Sequence, residues 1–224
     1  MAVDVKCLQL RHPFTAYVSG PSGSGKTTLV RNILSAHKVT TDLNVPVCKV
    51  LWCYGIWQKT YDIPLVNVKV EYFEGLPSQE EIRQQQPHII VLDDLMAELA
   101  DNKSVGALFT KGSHNLNVSI FFLSQNFYYQ GSQIRTITRN CKYFILLKNP
   151  GDAQQIMCLA RRVFPTRTKH FMEAYEDATA QSFGYILLDL TQQCPDEYRL
   201  RTRVTPQEYH CFSPIVYQNV SKSK

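Results

Sequence analysis

Gly20-Pro21-Ser22-Gly23-Ser24-Gly25-Lys26-Thr27 fits the pattern G-x-x-x-x-G-K-[ST] at every fixed position. The residue types have a physical reason. Glycines let the backbone turn tightly, so that successive N–H groups can surround a phosphate with no Cβ in the way. A lysine at position 26 reaches the β/γ oxygens of a bound nucleotide, and the Thr27 hydroxyl is placed to take Mg²⁺. The flanks agree. Phe14-Thr15-Ala16-Tyr17-Val18 reads as a short apolar strand entering the loop. Lys26 to Leu34 reads as a helix leaving it, with Leu29, Val30, Ile33 and Leu34 on one face. The competing reading is a Gly/Ser-rich turn that matches by chance. The candidate nucleotide-binding residues are therefore Gly20, Pro21, Ser22, Gly23, Ser24, Gly25, Lys26, Thr27 and Thr28.

The second informative stretch is Pro87-His88-Ile89-Ile90-Val91-Leu92-Asp93-Asp94. Four consecutive apolar residues ending in acids describe a central parallel strand whose carboxyl end delivers carboxylates to a site. The separation of Lys26 from Asp93 leaves room for at least one extra strand and helix between loop and acids. In that arrangement Asp93 would hold Mg²⁺, directly or through water, and Asp94 would orient and activate an attacking water. Asp94 is equally placed to cap a helix, and the two roles are compatible. Val118 to Gln125 is a further buried strand, ending in an amide that can both donate to a γ-phosphate and position water. The plainer reading of Gln125 is a loop or capping residue. Arg135 and Arg139 come just beyond, where a guanidinium could neutralise transition-state charge in its own subunit or a neighbour's. Arg161 and Arg162 are substitutes for that role, and a solvated surface arginine is the plain alternative for each.

Around these stretches the chain alternates. Lys38 to Val47, polar and carrying Pro46, reads as a loop. Lys49 to Tyr54 reads as a buried strand, and Val66 to Phe73 as a strand with one wet face. Ser78 and Glu81 have the spacing of a capping box for a short helix from Gln79 to about Gln85. A helical segment follows through Leu99 to Leu108, and Cys141 to Leu147 is another strand. Alternation from residue 14 to about 165 predicts an α/β fold: a mainly parallel sheet with helices on both faces. Gly184 to Leu190 and Tyr198 to Val204 then read as a hairpin around a Pro195-Asp196 turn, on the same sheet. The expected organisation is one domain over 1–224, with a core of about 12–165 and a C-terminal extension with the hairpin over about 166–220. Ser221 to Lys224 should be loose.

Composition narrows the class. A chain of 224 residues, 44% hydrophobic and 19% charged, is ordinary for a globular protein. No apolar run approaches the roughly 20 residues of a membrane span, and the first residues do not read as a secretory signal. An intracellular, non-secreted protein is expected. The seven cysteines show no C-x-x-C spacing, and the six histidines show no H-x-x-x-H. Reduced thiols are expected, with no protein-bound metal other than nucleotide Mg²⁺. A net charge of +5 is compatible with a nucleic-acid partner without establishing one. ABC transporters carry similar loops but need an L-S-G-G-Q signature, and the chain has none. Small-molecule kinases usually combine the loop with an arginine-rich lid, and lack an acid pair followed by a strand ending in Gln.

Several longer runs carry a family likeness. They are Tyr54-Gly55-Ile56-Trp57-Gln58, Glu74-Gly75-Leu76-Pro77, Ile90 to Met96, and Leu108-Phe109-Thr110-Lys111-Gly112-Ser113-His114 leading into Phe122 to Asn126. Arg135-Thr136-Ile137, Asn140, Lys148-Asn149-Pro150, Asp152, Ala174 to Thr179 and Gly184 to Asp189 follow. Over nearly its whole length the chain resembles the FtsK–HerA-type genome-packaging ATPases of polintons, adintoviruses, virophages and large eukaryotic DNA viruses. The resemblance implies an ASCE-type, RecA-like P-loop fold and an ATPase that moves double-stranded DNA into a preformed capsid. It implies a homo-oligomeric ring of five or six subunits, acting at a capsid vertex where virions assemble in the host nucleus or cytoplasm. It places Lys26, Thr27, Asp93, Asp94 and Gln125 at nucleotide-handling positions, with Arg135 as the arginine acting in trans. Asn115, Gly151 and Arg139 depart from the family pattern, which leaves the roles of His114 and of the Asn149–Asp152 turn open. Such a motor should grip the phosphate backbone without reading bases. Lys103, Lys111 and Lys169 are candidates for that grip, and the sequence gives no choice among them. Three alternatives stand beside it: another DNA-translocating ATPase or helicase, an adaptor that binds ATP to dock on a capsid, and a small-molecule kinase.

Overall fold

The computed structural model describes residues 8–95, 98, 116–127, 132–208 and 214–218, with the backbone only at 132–134 and 207. The expected helix over Leu99 to Leu108, the run Leu108 to His114, Lys103, Lys111, Asn115 and the last four residues lie outside the described residues.

Among the described residues nine strands form one sheet: β1 (Thr15–Ser19), β2 (Cys48–Tyr54), β3 (Val68–Glu74), β4 (Ile89–Asp93), β5 (Ser119–Ser124), β6 (Tyr143–Leu147), β7 (Tyr185–Asp189), β8 (Leu200–Thr202) and β9 (Ile215–Val216). Their order across the sheet is β3-β2-β4-β5-β1-β6-β7-β8-β9. The pairs from β3 to β6 are parallel, and those from β6 to β9 are antiparallel. The strand between the loop-bearing β1 and the acid-bearing β4 is β5, which comes later in the chain than either.

Residue type explains the layering. β1, β4, β5, β6 and β7 are buried at every position, as strands covered on both faces must be. Edge strand β3 alternates partly buried and exposed residues along Val68 to Val70 and carries Lys69 and Glu71 on its wet side. Successive side chains of one strand feed opposite cores. Tyr17 joins one with Leu51, Ile90, Phe122, Phe144 and Ile186. Val18 joins the other with Val50, Val91, Leu123 and Ile145.

Helix α1 (Lys26–Ser35) covers the second core with Leu29, Val30, Ile33 and Leu34, each such burial contributing about 1.5–3 kcal/mol. The opposite face is covered by α3 (Gln79–Gln85), α4 (Ser132–Asn140), α5 (Ala153–Val163) and α6 (Thr168–Ala178), through Ile82, Ile137, Leu159 and Phe171. The capping box of α3 is present in both directions, with Ser78 N donating to Glu81 Oε2 at 2.6 Å and Glu81 N to Ser78 Oγ at 3.2 Å. Those bonds hold the Glu81 carboxyl below its ordinary value.

Where a loop was expected from residue 38, one helical turn, α2 (His37–Thr40), comes first. It is held by tertiary bonds: the buried His37 ring lies 3.1 Å from both Leu34 O and Val45 O, and Thr40 Oγ1 donates to Ile33 O at 2.8 Å. The C-terminal hairpin is on the same sheet, with Leu187 opposite Arg201 and Leu188 opposite Leu200. A buried ion pair, Arg201 to Asp189 at 2.9 Å, ties its strands together. Among the described residues no helix is long and apolar enough to cross a membrane.

Candidate functional site

The loop between β1 and α1 has the shape its glycines allow. Gly23 and Gly25 have φ of 75° and 94°, in the left-handed region. Gly20 is required by closeness: a Cβ there would sit 2.7 Å from Ser24 Oγ and 2.8 Å from Leu147 Cβ. Gly20 N donates to Ser124 O at 3.2 Å, which fixes the start of the loop against the end of β5.

The strand order brings the predicted residues to one cleft. A cavity of about 460 Å³ is lined by Gly23, Gly25, Lys26, Thr27, Asp93 and Gln125, among others that include Ser22, Thr28 and Asp94. Gly20, Pro21 and Ser24 complete the turn beneath it. Lys26 Nζ donates to Gly20 O at 2.6 Å and Pro21 O at 3.0 Å, so the ammonium is held over the loop it closes. Burial pulls it below the ordinary lysine value, and the charges of Asp93 and Asp94 oppose that.

Asp93, 3% exposed, accepts on Oδ2 from Thr27 Oγ1 at 3.1 Å and from Tyr61 Oη at 2.8 Å. Burial pushes its carboxyl above the usual carboxylate range, against the two hydrogen bonds and Lys26, which favour the charged form. A hydroxyl and a carboxylate within hydrogen-bond distance at the foot of a phosphate loop are the hard oxygen donors that Mg²⁺ prefers. The residues present therefore fit that ion.

Asp94 has a φ of 57°, unusual for a residue with a side chain. Its backbone lies so close to Gly55 that a Cβ on that glycine would meet Asp94 O at 2.6 Å. Gln125 Nε2 donates to Asp94 Oδ1 at 2.8 Å. The loop carrying Gln125 is anchored two residues on, where Phe127 N donates to Asp152 Oδ2 at 2.8 Å. Asn149 Nδ2 donates to the same oxygen at 2.8 Å, and Asn149 Oδ1 accepts from Gly151 N at 3.1 Å. The Asn149–Asp152 turn is thus a brace behind Gln125.

The arginines lie elsewhere. Arg135 and Arg139 are exposed on α4, Arg161 and Arg162 on α5, and none of them lines the cleft. Lys169 is exposed on α6 and pairs with Glu173 at 3.7 Å.

Two cleft neighbours were not singled out from sequence. Tyr61 reaches Asp93 from a short 3-10 helix (Lys59–Asp62), where Tyr72 stacks on it at a ring distance of 5.2 Å and donates to its carbonyl at 3.0 Å. Arg31, buried on α1, donates to Tyr72 Oη at 3.3 Å and to Ile63 O, binding this segment to the loop's own helix. Phe183, 68% exposed, forms the wall of the cleft beside Gly25. The only sequence signal for either was an aromatic residue outside a strand.

A phosphate loop entering α1, with an acid strand one position removed across the sheet, defines the class: the chain has the fold of a P-loop NTPase. Its structural neighbours include viral packaging enzymes. It is similar to the genome packaging NTPase B204 from Sulfolobus turreted icosahedral virus 2 in complex with sulfate, with TM-score 0.54 and 10% identity, covering 80% of this chain and 93% of that one. The complex of B204 with ATP-gammaS aligns with TM-score 0.51 and 11% identity, over 81% and 94% of the two chains. B204, the DNA-packaging ATPase from Sulfolobus Turreted Icosahedral Virus, aligns with TM-score 0.53 and 10% identity, over 82% and 96%. At these identities the likeness is one of fold, and it agrees with the resemblance carried by the motifs. No protein-family model matches the chain, and no curated protein does.

Proposed function

We propose that this protein is an ATP-hydrolysing motor that moves double-stranded DNA into a preformed viral capsid, working as a homo-oligomeric ring at a capsid vertex. The observation that carries the reading is the convergence of Lys26, Thr27, Asp93, Asp94 and Gln125 on one cleft. The fold shared with two packaging NTPases supports it.

In this reading backbone N–H groups between Ser22 and Thr28 and the Lys26 ammonium bind the ATP phosphates. Thr27 and Asp93 would hold Mg²⁺, which would supply positive charge to offset that of the phosphates. Tyr61 keeps Asp93 in place. Asp94 accepts a proton from the attacking water, and Gln125, bonded to Asp94, aligns that water with the γ-phosphate.

The arginines' position also fits a ring. An arginine that serves a neighbour's site must be exposed and free of its own cleft, and Arg135 is exposed and outside that cleft's lining. Ile56, which lines the cleft and is 70% exposed, and its chain neighbour Trp57, 47% exposed, are apolar groups that a neighbouring subunit would cover. A net charge of +5 suits a phosphate-gripping channel read by charge rather than sequence.

Movement along duplex DNA is tested by displacement of a third strand bound to one end of a linear duplex. Displacement that requires ATP and is lost in Lys26→Ala is expected. Hydrolysis of ATP on duplex DNA with no displacement would overturn the motor.

A further inference from the structure

Phe183 stands in the turn before β7, with 68% of its surface exposed and a φ of 62°. A bulky side chain seldom adopts that backbone conformation, and an aromatic ring is seldom left in water. The turn is nonetheless firmly built. A Cβ on Gly184 would lie 2.4 Å from Ala178 O, so the chain passes too close for any other residue. Gly184 N donates to Gln181 O, and Gly184 O accepts from Lys148 N, each at 3.2 Å. The ring rests against the phosphate loop, its Cδ1 only 3.2 Å from where a Cβ of Gly25 would be. On its other side lies a second cleft of about 370 Å³, lined by Phe183 with Asp177, Ser182, Arg203, Glu208 and Tyr217 among others. Phe183 is thus common to the linings of both clefts.

Strand order sets what such a ring would meet. Asp93, Asp94 and Gln125 end β4 and β5, on one side of β1. Phe183 precedes β7, on the other side of β1 and beyond β6. Because β7 runs antiparallel to β6, with Tyr185 opposite Leu147, the turn before it lies at the sheet edge that carries the phosphate loop. A nucleotide with its terminal phosphate toward the acids therefore directs its base toward β7.

We propose that Phe183 is the stacking platform for the base of the bound nucleoside triphosphate. The ligand class is a purine nucleotide, whose two-ring face covers more of the phenyl ring than a pyrimidine's does. Stacking is indifferent to the base's hydrogen-bonding groups, so ATP and GTP gain from Phe183 alike. The inference rests on the reading of the cleft as a nucleotide site.

Calorimetric titration of the full chain with ATP and with inorganic tripolyphosphate, each with Mg²⁺, tests it in wild type, Phe183→Ala and Phe183→Trp. ATP affinity is expected to fall about 5- to 150-fold in Phe183→Ala, the range for one base–aromatic stack. Tripolyphosphate affinity should be unchanged, and Phe183→Trp should restore ATP binding. Equal loss for both ligands would overturn the proposal, because Phe183 would then only shape the phosphate loop. No loss for ATP would overturn it too, while leaving the nucleotide site intact. Wild-type protein that bound neither ligand would overturn the nucleotide reading itself, and the stacking with it.

Discussion

Gln125 donates from Nε2 to Asp94 Oδ1 at 2.8 Å, so the amide beyond β5 and the acid beyond β4 form one hydrogen-bonded unit at the mouth of the cleft. Each then has a separate measurable role. Asp94→Asn should keep ATP affinity and lose about 10²–10⁴-fold in turnover, as removal of a general base does. Gln125→Ala should lose less, because Asp94 remains while the alignment of water is relaxed. Single-turnover hydrolysis with ATP binding measured in parallel checks both. Normal turnover by Asp94→Asn would remove Asp94 from the chemistry.

Gly55 lies against the backbone of Asp94 and does not line the cleft. A Cβ there would come within 2.6 Å of Asp94 O, and backbone cannot yield as a side chain can. Gly55→Ala should therefore lower turnover per folded molecule by up to about 10²-fold through misplacement of the acid, beside a loss of stability of about 1–3 kcal/mol from the close contact. A fall in unfolding free energy with unchanged turnover per folded molecule would contradict this.

Asp93 should be held at a cost in stability. Its carboxyl titrates higher in the folded chain than its ordinary value of 3.8, chiefly through burial. The folded state is thus penalised for carrying the charge. The penalty is absent below the unfolded value, grows as pH rises through the folded value, and is constant above it. Asp93→Asn, whose carbonyl can still accept from Thr27 and Tyr61, should raise stability at neutral pH by about 0.5–2 kcal/mol and abolish turnover. The gain should vanish toward pH ~3, where both states of the wild type are neutral. Thermal melts across that range check the sign, and a lower Tm for the variant at neutral pH would contradict it.

The hairpin depends on a charge pair with no access to water: the side chains of Arg201 and Asp189 are 0% and 2% exposed. Arg201→Met should cost about 3–5 kcal/mol in urea unfolding, because it strands the carboxylate in the core. Adding Asp189→Leu should recover much of that loss. A cost for the single variant under about 1 kcal/mol, the level of an ordinary surface change, would show that the pair is not structural.

What could be read from the chain was what local physics decides. Ser78 and Glu81 marked α3 because a capping box needs only four residues. The apolar runs in β4, β5 and β6 marked central strands because burial on both faces leaves no other composition. Tertiary context decided the rest. The one-turn α2 is held through His37, whose partners, Leu34 O and Val45 O, come together only on folding. β9 is two residues long and is a strand because β8 is beside it. Within the cleft, the fixed spacing of the loop and the end of the acid strand named Lys26, Thr27 and Asp93. Tyr61 and Phe183 reach it from connections with no motif, so their place followed only from the strand order.

The central measurement is ATP turnover by the purified protein, with and without linear duplex DNA, at low and moderate salt. Strong stimulation by DNA at low salt is expected, weakening as salt competes for the phosphate contacts, with Lys26→Ala inactive throughout. Turnover that duplex DNA leaves unchanged at both salts would contradict a DNA-moving motor, and turnover that survives Lys26→Ala would contradict the cleft itself.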